Sequence, residues 1–263
     1  MSSVAISGNA SGAGTLTIAA PNTASNYTLT LPTQTGTIIS GSTTSNAVIP
    51  AGTTSLAPIL LTSGTNLTSA TAGAVEYDGK VVYGTPIGTQ RGIVPTQQYY
   101  RLDSALVGSN VATAQSIFNV GCTLSASTVY EFEIVVGFSK SAGTTSHTLS
   151  TGFGGTATLN NISYLYVGLE GGSSFIGRIN ATQDILFVQS ASATVLTTAN
   201  TSATLFIAGV LKGTVSINAG GTFIPQYTLS AAPGGAYSTA IGSYIRINPL
   251  SASGAATNVG TWA

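Results

Sequence analysis

Polar and apolar residues alternate along much of this chain with a period of two, which is the pattern of β-strands that bury one face. The segment 130–138 places Tyr130, Phe132 and Ile134 on one face and Glu131 and Glu133 on the other. Roughly ten such strands without a helical period predict an all-β fold, with a jelly-roll-like β-sandwich in its later part. Further runs rich in aromatic and β-branched residues lie at 164–170, 184–190, 204–218, 222–229 and 243–250.

The earlier part of the chain has shorter strand patterns separated by turn residues. Residues 15–18 and 28–31 read Thr-Leu-Thr-Ile and Thr-Leu-Thr-Leu, which predicts two short, half-buried strands. Residues 40–58 are nearly all small or polar and include two prolines, so we expect a connector there. Short strands of this kind cannot build a core alone. We therefore predict that residues 1–93 form an extended attachment and oligomerisation arm and that residues 94–263 form the sandwich domain at its tip.

Two local patterns make more specific predictions. The dipeptide Asp78–Gly79 stands between two alternating runs, which is the strongest short-range signal of a β-hairpin. A two-residue type I′ turn at this place would put Tyr77 opposite Lys80. Within the later part of the chain, only the segment 111–119 is compatible with a helical turn.

The chain carries very little charge for its length. Charged residues make up 5% of its 263 residues and hydrophobic residues 43%, with a formal net charge of zero; an ordinary globular protein has about 25% charged residues. Ser, Thr, Asn and Gly take the place of charge, which favours strands and turns over helices. We expect no signal peptide and no membrane insertion, because the first residues are neither basic nor apolar and no apolar run reaches ~20 residues. We also expect no nucleic-acid partner, since the basic residues are thinly spread: Lys80, Arg91, Arg101, Lys140, Arg178, Lys212 and Arg246.

Few residues have the chemistry of a catalytic or metal site. His147 is the only histidine and Cys122 the only cysteine, whereas transition-metal sites and nucleophilic triads need several such groups. We expect Cys122 to be a buried free thiol. Glu76 and Asp78 offer oxygen ligands for calcium, but the spaced acidic loop of a calcium site is missing and a hairpin turn is the better interpretation. We therefore assign no catalytic, cofactor-binding or metal-ligating residue and expect a non-enzymatic protein without a cofactor.

The most enzyme-like feature is the pair Glu131 and Glu133. Residues two apart on one strand face lie ~6.5–7 Å from each other, which falls within the separation of the two carboxyl groups of inverting glycosidases. An outward-facing acidic pair is also an ordinary way to keep a sheet face solvated and to discourage edge pairing. We favour this second interpretation and keep glycan hydrolysis as the lesser alternative.

Four aromatic residues in or near turn-rich stretches are candidates for recognition of sugars or proteins. For each of them, packing in the core or at a subunit interface is the preferred interpretation. A bulky ring close to a chain terminus tends to fill a gap in its own or a neighbouring subunit. The four are Tyr99, Tyr100, Tyr237 and Trp262.

Several long stretches resemble structural proteins of tailed bacteriophages. Residues 6–38 resemble the β-rich N-terminal segment of tail-fibre and other virion proteins, and residues 62–86 resemble a connector with the motif AGA-x-EYDG. Residues 213–235 and 243–263 resemble the C-terminal β-domain of such proteins. Together these stretches cover most of the chain, and the longest of them are fairly specific.

The resemblance implies a homotrimeric, elongated component of a phage particle, made in the host cytoplasm and located in the virion. A tail fibre that contributes to host-surface attachment is the leading expectation, with a capsid-decorating or head-fibre protein as the alternative and a glycan-degrading tailspike as the least favoured. The arm would bind other virion proteins, and the tip would bind a host glycan or protein through receptor-binding residues that the sequence leaves unknown. Short strands joined by polar connectors have little core of their own, which favours assembly with further copies of the chain.

Overall fold

A computed structural model describes residue 49 and residues 51–170 and 182–262 of the chain. The chain divides into two units, residues 1–59 and residues 60–263. The predicted strands at 15–18 and 28–31 and most of the predicted connector at 40–58 lie outside the described residues. The fold below is that of the second unit.

The described residues contain sixteen β-strands and no helix. The predicted all-β class is therefore confirmed, whereas the jelly-roll connectivity stays a prediction. No helix that could cross a membrane is found among the described residues. The strands are β1 (Val75–Tyr77), β2 (Val82–Gly84), β3 (Gly92–Val94), β4 (Gln98–Arg101), β5 (Leu106–Val107), β6 (Gln115–Ser116), β7 (Cys122–Leu124), β8 (Thr128–Lys140), β9 (Leu149–Gly154), β10 (Thr158–Glu170), β11 (Thr182–Val188), β12 (Thr194–Val195), β13 (Leu205–Ala219), β14 (Gly221–Leu229), β15 (Ser238–Thr239) and β16 (Tyr244–Ala252).

The larger of the two main sheets has eight antiparallel strands. Its order runs β11, β10, β13, β8, and beyond β8 it divides, because β16 and then β4 continue from one half of β8 and β15 and then β5 from the other half. Three long strands, β10, β13 and β8, form its centre. The strands β11 and β4 therefore lie at opposite edges of one continuous sheet.

A five-stranded sheet covers the inner face of the larger sheet. Its order is β12, β9, β14 and β6, with β7 pairing with β14 as well. Alternate residues of β8 point inward, and the Phe132 ring contacts Phe153 of β9 at 5.3 Å and Phe223 of β14 at 6.0 Å between ring centroids. The rings of Phe153 and Phe223 stack at 4.8 Å. This aromatic cluster joins the two sheets into a sandwich, as the alternation of buried and less buried residues along β8 requires.

A separate three-stranded sheet of β1, β2 and β3 contains the predicted hairpin. The hairpin is confirmed but its predicted turn is wrong: Tyr77 pairs with Val82 instead of facing Lys80, so the connection has four residues, 78–81. Its cause is the Asp78 carboxylate, whose Oδ1 accepts hydrogen bonds from the backbone N–H groups of Lys80 and Val81, both at 2.8 Å. A side chain that satisfies two backbone donors favours this wider loop, in which only Gly79 needs a positive φ, of 91°.

Two further predictions concern segment 111–119 and the boundary near residue 93. The prediction of a helical turn within 111–119 is wrong, because those residues form bends around the short strand β6. The predicted division between residues 93 and 94 falls near the end of the three-stranded sheet and stays a prediction.

The Lys80 ammonium donates a hydrogen bond of 2.7 Å to the Ser127 carbonyl oxygen, which connects the three-stranded sheet to the sandwich.

Candidate functional surface

The outer face of the larger sheet exposes a continuous set of apolar side chains at the β11 edge. In the register of β11, β10 and β13, Phe187 lies beside Leu165, and Ile185 lies beside Val167, which lies beside Val210. Phe187 is 69% exposed and Ile185 62%. The inward-facing neighbours on β10, Tyr164 and Tyr166, are buried, so these strands are apolar on both faces. We call Leu165, Val167, Ile185, Phe187 and Val210 the apolar ridge.

A charged row lies across the same outer face between the apolar ridge and the opposite edge. Lys212, Glu133 and Arg246 are adjacent on β13, β8 and β16. The Glu133 carboxylate accepts hydrogen bonds of 2.8 Å from Arg246 Nη2 and 2.8 Å from Tyr244 Oη. The Arg246 guanidinium and then the Tyr244 hydroxyl hold the pKa of Glu133 below its usual value. Glu131 is more exposed, with Lys212 Nζ at 3.9 Å.

Glu131 and Glu133, the pair considered for glycan hydrolysis, both take part in these charged contacts. Both carboxylates lie on the outer face of β8, as the alternation predicted, and each has a basic partner. A general acid of such an enzyme needs a raised carboxyl pKa. The lowered pKa of Glu133 is suited to a structural ion pair, not to proton donation.

An apolar groove opens at the opposite edge of the sandwich, between β4 and β16 of the larger sheet and β7 and β14 of the smaller one. Its volume is about 240 Å³ and its lining has no charged residue. Tyr100, 40% exposed, and Val120, 42% exposed, form the rim, and Phe118 contacts the Tyr100 ring at 6.1 Å. Cys122 lies in the wall, and burial raises the pKa of its thiol to about 11. We call this feature the edge groove.

The predicted aromatic candidates fall into two groups. Tyr99 and Tyr100 belong to β4 beside the edge groove, and the Tyr99 ring lies 5.6 Å from that of Tyr244. Tyr237 is 1% exposed and belongs to the core, as preferred from the sequence. Trp262 is 78% exposed and donates its indole N–H to the Val259 carbonyl oxygen, so it fills no gap in the described part of its own chain.

The only histidine is a buried structural residue. His147 is 2% exposed; its Nε2 lies 2.7 Å from the Tyr237 hydroxyl and its Nδ1 lies 2.7 Å from the Thr145 carbonyl oxygen. Its backbone pairs with Asn200. With both ring nitrogens partnered and no exposure, the imidazole is poorly placed to meet a substrate.

The two carboxylates considered for calcium are engaged by the protein itself. Glu76 accepts a hydrogen bond from the Leu67 backbone N–H and two from the Arg91 guanidinium, and these, the Leu67 contact first, lower its pKa. Burial raises the pKa of Asp78, but the N–H groups of its turn and the Tyr83 hydroxyl outweigh this, so that it is lowered overall. Among the described residues, no three His, Cys, Asp or Glu side chains are grouped closely enough to hold a metal ion.

Two buried charged groups were not singled out from the sequence. Lys140 ends β8 and is 2% exposed, and its ammonium donates to the carbonyl oxygens of Ala142, Gly143 and Ser202 at 3.3, 2.8 and 2.5 Å. Burial lowers its pKa. Glu170 ends β10 and accepts hydrogen bonds from the backbone N–H and the hydroxyl of Thr198. Both follow the inward-facing alternation of their strands, which is the signal that could have found them.

No protein-family model, no curated protein and no solved structure matches this chain.

Proposed function

We propose that this chain is a structural component of a tailed-bacteriophage particle, a homotrimeric tail fibre that contributes to attachment to the host surface. The observation that carries the proposal is the exposed apolar ridge on the outer face of an all-β sandwich with 5% charged residues. A face of this kind on a protein in water calls for a partner. A second copy, a neighbouring virion protein or a host surface would supply one.

The chemistry of the described residues supports a binding role over a catalytic one. His147 is enclosed, Glu133 is held as an anion, and the thiol of Cys122 is kept protonated at neutral pH. Of the groups that ordinarily act as nucleophile or base, none of these three is both exposed and activated. In the proposed fibre, residues 1–93 attach to other virion proteins and residues 94–263 form the tip.

The test is the position of the chain on purified phage particles. Labelled antibodies against the chain, viewed by electron microscopy, are expected to bind at the tail. Labelling spread over the capsid would replace the tail fibre with a capsid-decorating or head-fibre protein, and particles without any label would overturn the virion proposal. The purified full chain is expected to block adsorption of the phage to its host.

The glycan-hydrolysis alternative has a separate test. Purified protein is incubated with host polysaccharide, and released reducing sugar is measured. We expect none. Release that is abolished by the double substitution Glu131→Gln and Glu133→Gln would overturn the non-enzymatic proposal.

A further inference from the structure

The two apolar features of the sandwich lie at opposite edges of its larger sheet. The apolar ridge is exposed, with Phe187 as its most exposed side chain at 69%. The edge groove is concave, with Tyr100 and Val120 on its rim and Cys122 in its wall. We propose that the apolar ridge of one copy packs into the edge groove of the next copy, with Phe187 inserted beside Val120 and Cys122.

The size of the edge groove suits the side chain that would enter it. An apolar cavity of ~150 Å³ holds a benzene molecule, and the edge groove measures about 240 Å³. Its floor contains Phe223 and Ile245. A phenyl ring that enters it would meet aromatic and aliphatic neighbours without burying any charged group, since the lining has none.

The strand order decides how copies would be related. The sheet runs from one edge to the other through six strands, β11, β10, β13, β8, β16 and β4. Their five spacings of ~4.8 Å place the two edges ~24 Å apart. A contact between two different surfaces of the same chain is heterologous. The series of copies that it builds is finite only when the copies close into a ring. The number three for that ring rests on the proposed function.

The apolar area approaches what a stable contact needs. Taking ~200 Å² for a fully exposed large side chain, the five residues of the apolar ridge expose on the order of 500 Å². Tyr99, Tyr100 and Val120 at the edge groove add on the order of 250–300 Å². A standard interface buries ~1,600 Å² in total, of which somewhat more than half is apolar. The ridge and the groove together supply nearly that apolar share.

Free strand edges favour the same arrangement. Among the described strands, β11 pairs with β10 alone and β4 with β16 alone. Such edges need to be covered in a soluble assembly. Packing of the apolar ridge, which includes two residues of β11, against the edge groove, whose rim includes Tyr100 of β4, would bring the two edge strands of neighbouring copies together.

Site-directed cross-linking of the full chain tests the contact directly. In a Cys122→Ser background, the substitutions Val120→Cys and Phe187→Cys place one thiol at the edge groove and one on the apolar ridge. Because Phe187→Cys also removes the ring that anchors the contact, the protein is oxidised at a concentration well above that at which the native chain assembles. With copper–phenanthroline as oxidant, we expect disulfide-linked dimers and higher species in denaturing gels, since a disulfide forms only where Cβ atoms approach to ~3.5–4.5 Å. The matched control carries Val195→Cys in place of Val120→Cys; Val195 is 53% exposed on the smaller sheet, and we expect no such ladder.

Single-thiol variants and the sedimentation mass separate the possible outcomes. Links in the variant with Phe187→Cys alone would show that two ridges face each other and would overturn the heterologous contact. An assembled protein without links in the double-thiol variant would also overturn it, while leaving the fibre proposal intact if antibodies still bind the particle. If the disulfide links form but antibodies detect no chain on the phage particle, the contact between copies stands and the fibre proposal is overturned.

The native chain is expected to sediment at three times its mass of 26.2 kDa. The substitution Phe187→Ser is expected to weaken the assembly by on the order of 30-fold or more in its dissociation constant, as for a central interface aromatic. Val195→Ser, its matched control, is expected to leave assembly unchanged. Equal effects of the two substitutions, or a monomeric native chain at micromolar concentration, would overturn the proposed contact.

Discussion

The contribution of the charged row to the free energy of unfolding can be measured at the ion pair between Glu133 and Arg246. We consider the substitution Glu133→Gln, which keeps the size of the side chain and removes its charge. A glutamine oxygen can still accept the hydrogen bond from the Tyr244 hydroxyl, which is 2.8 Å long in the native chain. The substitution therefore removes the charge of Glu133, whose closest basic partner is Arg246 and whose other basic neighbour is Lys212.

The magnitude follows from exposure. A hydrogen bond to a charged group contributes ~1.5–3 kcal/mol, whereas an ion pair in full solvent contributes ~0–1 kcal/mol. The Glu133 side chain is 15% exposed and that of Arg246 43%, so this pair lies between the two cases. We expect Glu133→Gln to lower the free energy of unfolding by ~1 kcal/mol at pH 7.

The pH dependence has a definite sign. In the folded chain the pKa of Glu133 lies below its usual value of 4.5. Its contribution is therefore present above pH 4.5 and is lost as the pH falls through the folded-state pKa. Urea unfolding followed by circular dichroism at several pH values should show that the native chain and Glu133→Gln differ at pH 7 and converge in acid.

A matched control is available two residues away on the same strand. Glu131 faces Lys212 at 3.9 Å, and the two side chains are 43% and 56% exposed. Glu131→Gln should change the free energy of unfolding by less than ~0.5 kcal/mol. If Glu131→Gln costs as much as Glu133→Gln, or if the effect of Glu133→Gln persists undiminished at low pH, the reasoning from the charged row is wrong.

Four further predictions concern the interior and the loops. Phe132→Ala should lower the free energy of unfolding by ~3–5 kcal/mol in urea titrations, since it empties the aromatic cluster between the sheets, and Phe132→Leu should cost much less. Lys140→Met should cost ~1–3 kcal/mol in the same assay, because three carbonyl oxygens lose a buried donor. Gly143→Ala should destabilise more than Gly242→Ala in thermal unfolding: the two have similar φ values, +82° and +84°, but only the first would push a Cβ into backbone atoms. Cys122 should react with iodoacetamide far more slowly at pH 8 than a free thiol, followed by mass spectrometry, because its pKa is about 11.

The strands whose buried face could be predicted were those with one polar and one apolar face. Glu131 and Glu133 mark the outer face of β8, so the alternation identified both the strand and the side that faces the core. In β10 no polar residues mark the outer face at this point, because Leu165 and Val167 there are as apolar as the buried Tyr164. The strand was recognised from its residue types, but its exposed apolar face was not.

The edge groove and the buried histidine could not be predicted, because both are assembled from distant parts of the chain. The groove combines Tyr100, Val120 and Ile245, which no local pattern connects. The burial of His147 depends on the Tyr237 hydroxyl, 90 residues away in sequence. Period-two patterns report on one strand at a time, and they carry no information about which strands meet across a sandwich.

The scarcity of charge has a counterpart in the way the remaining charges are used. Each described Lys or Arg has a partner: four of them are in ion pairs with carboxylates, Lys80 donates to the Ser127 carbonyl oxygen, and Lys140 is buried among carbonyl oxygens. The surface within the described part of the chain therefore offers little uncompensated charge with which to attract a polyanion. Association between copies would have to come from the burial of apolar area, which salt strengthens, whereas it screens charged contacts. The apolar ridge and the edge groove offer such area at two edges of one sheet.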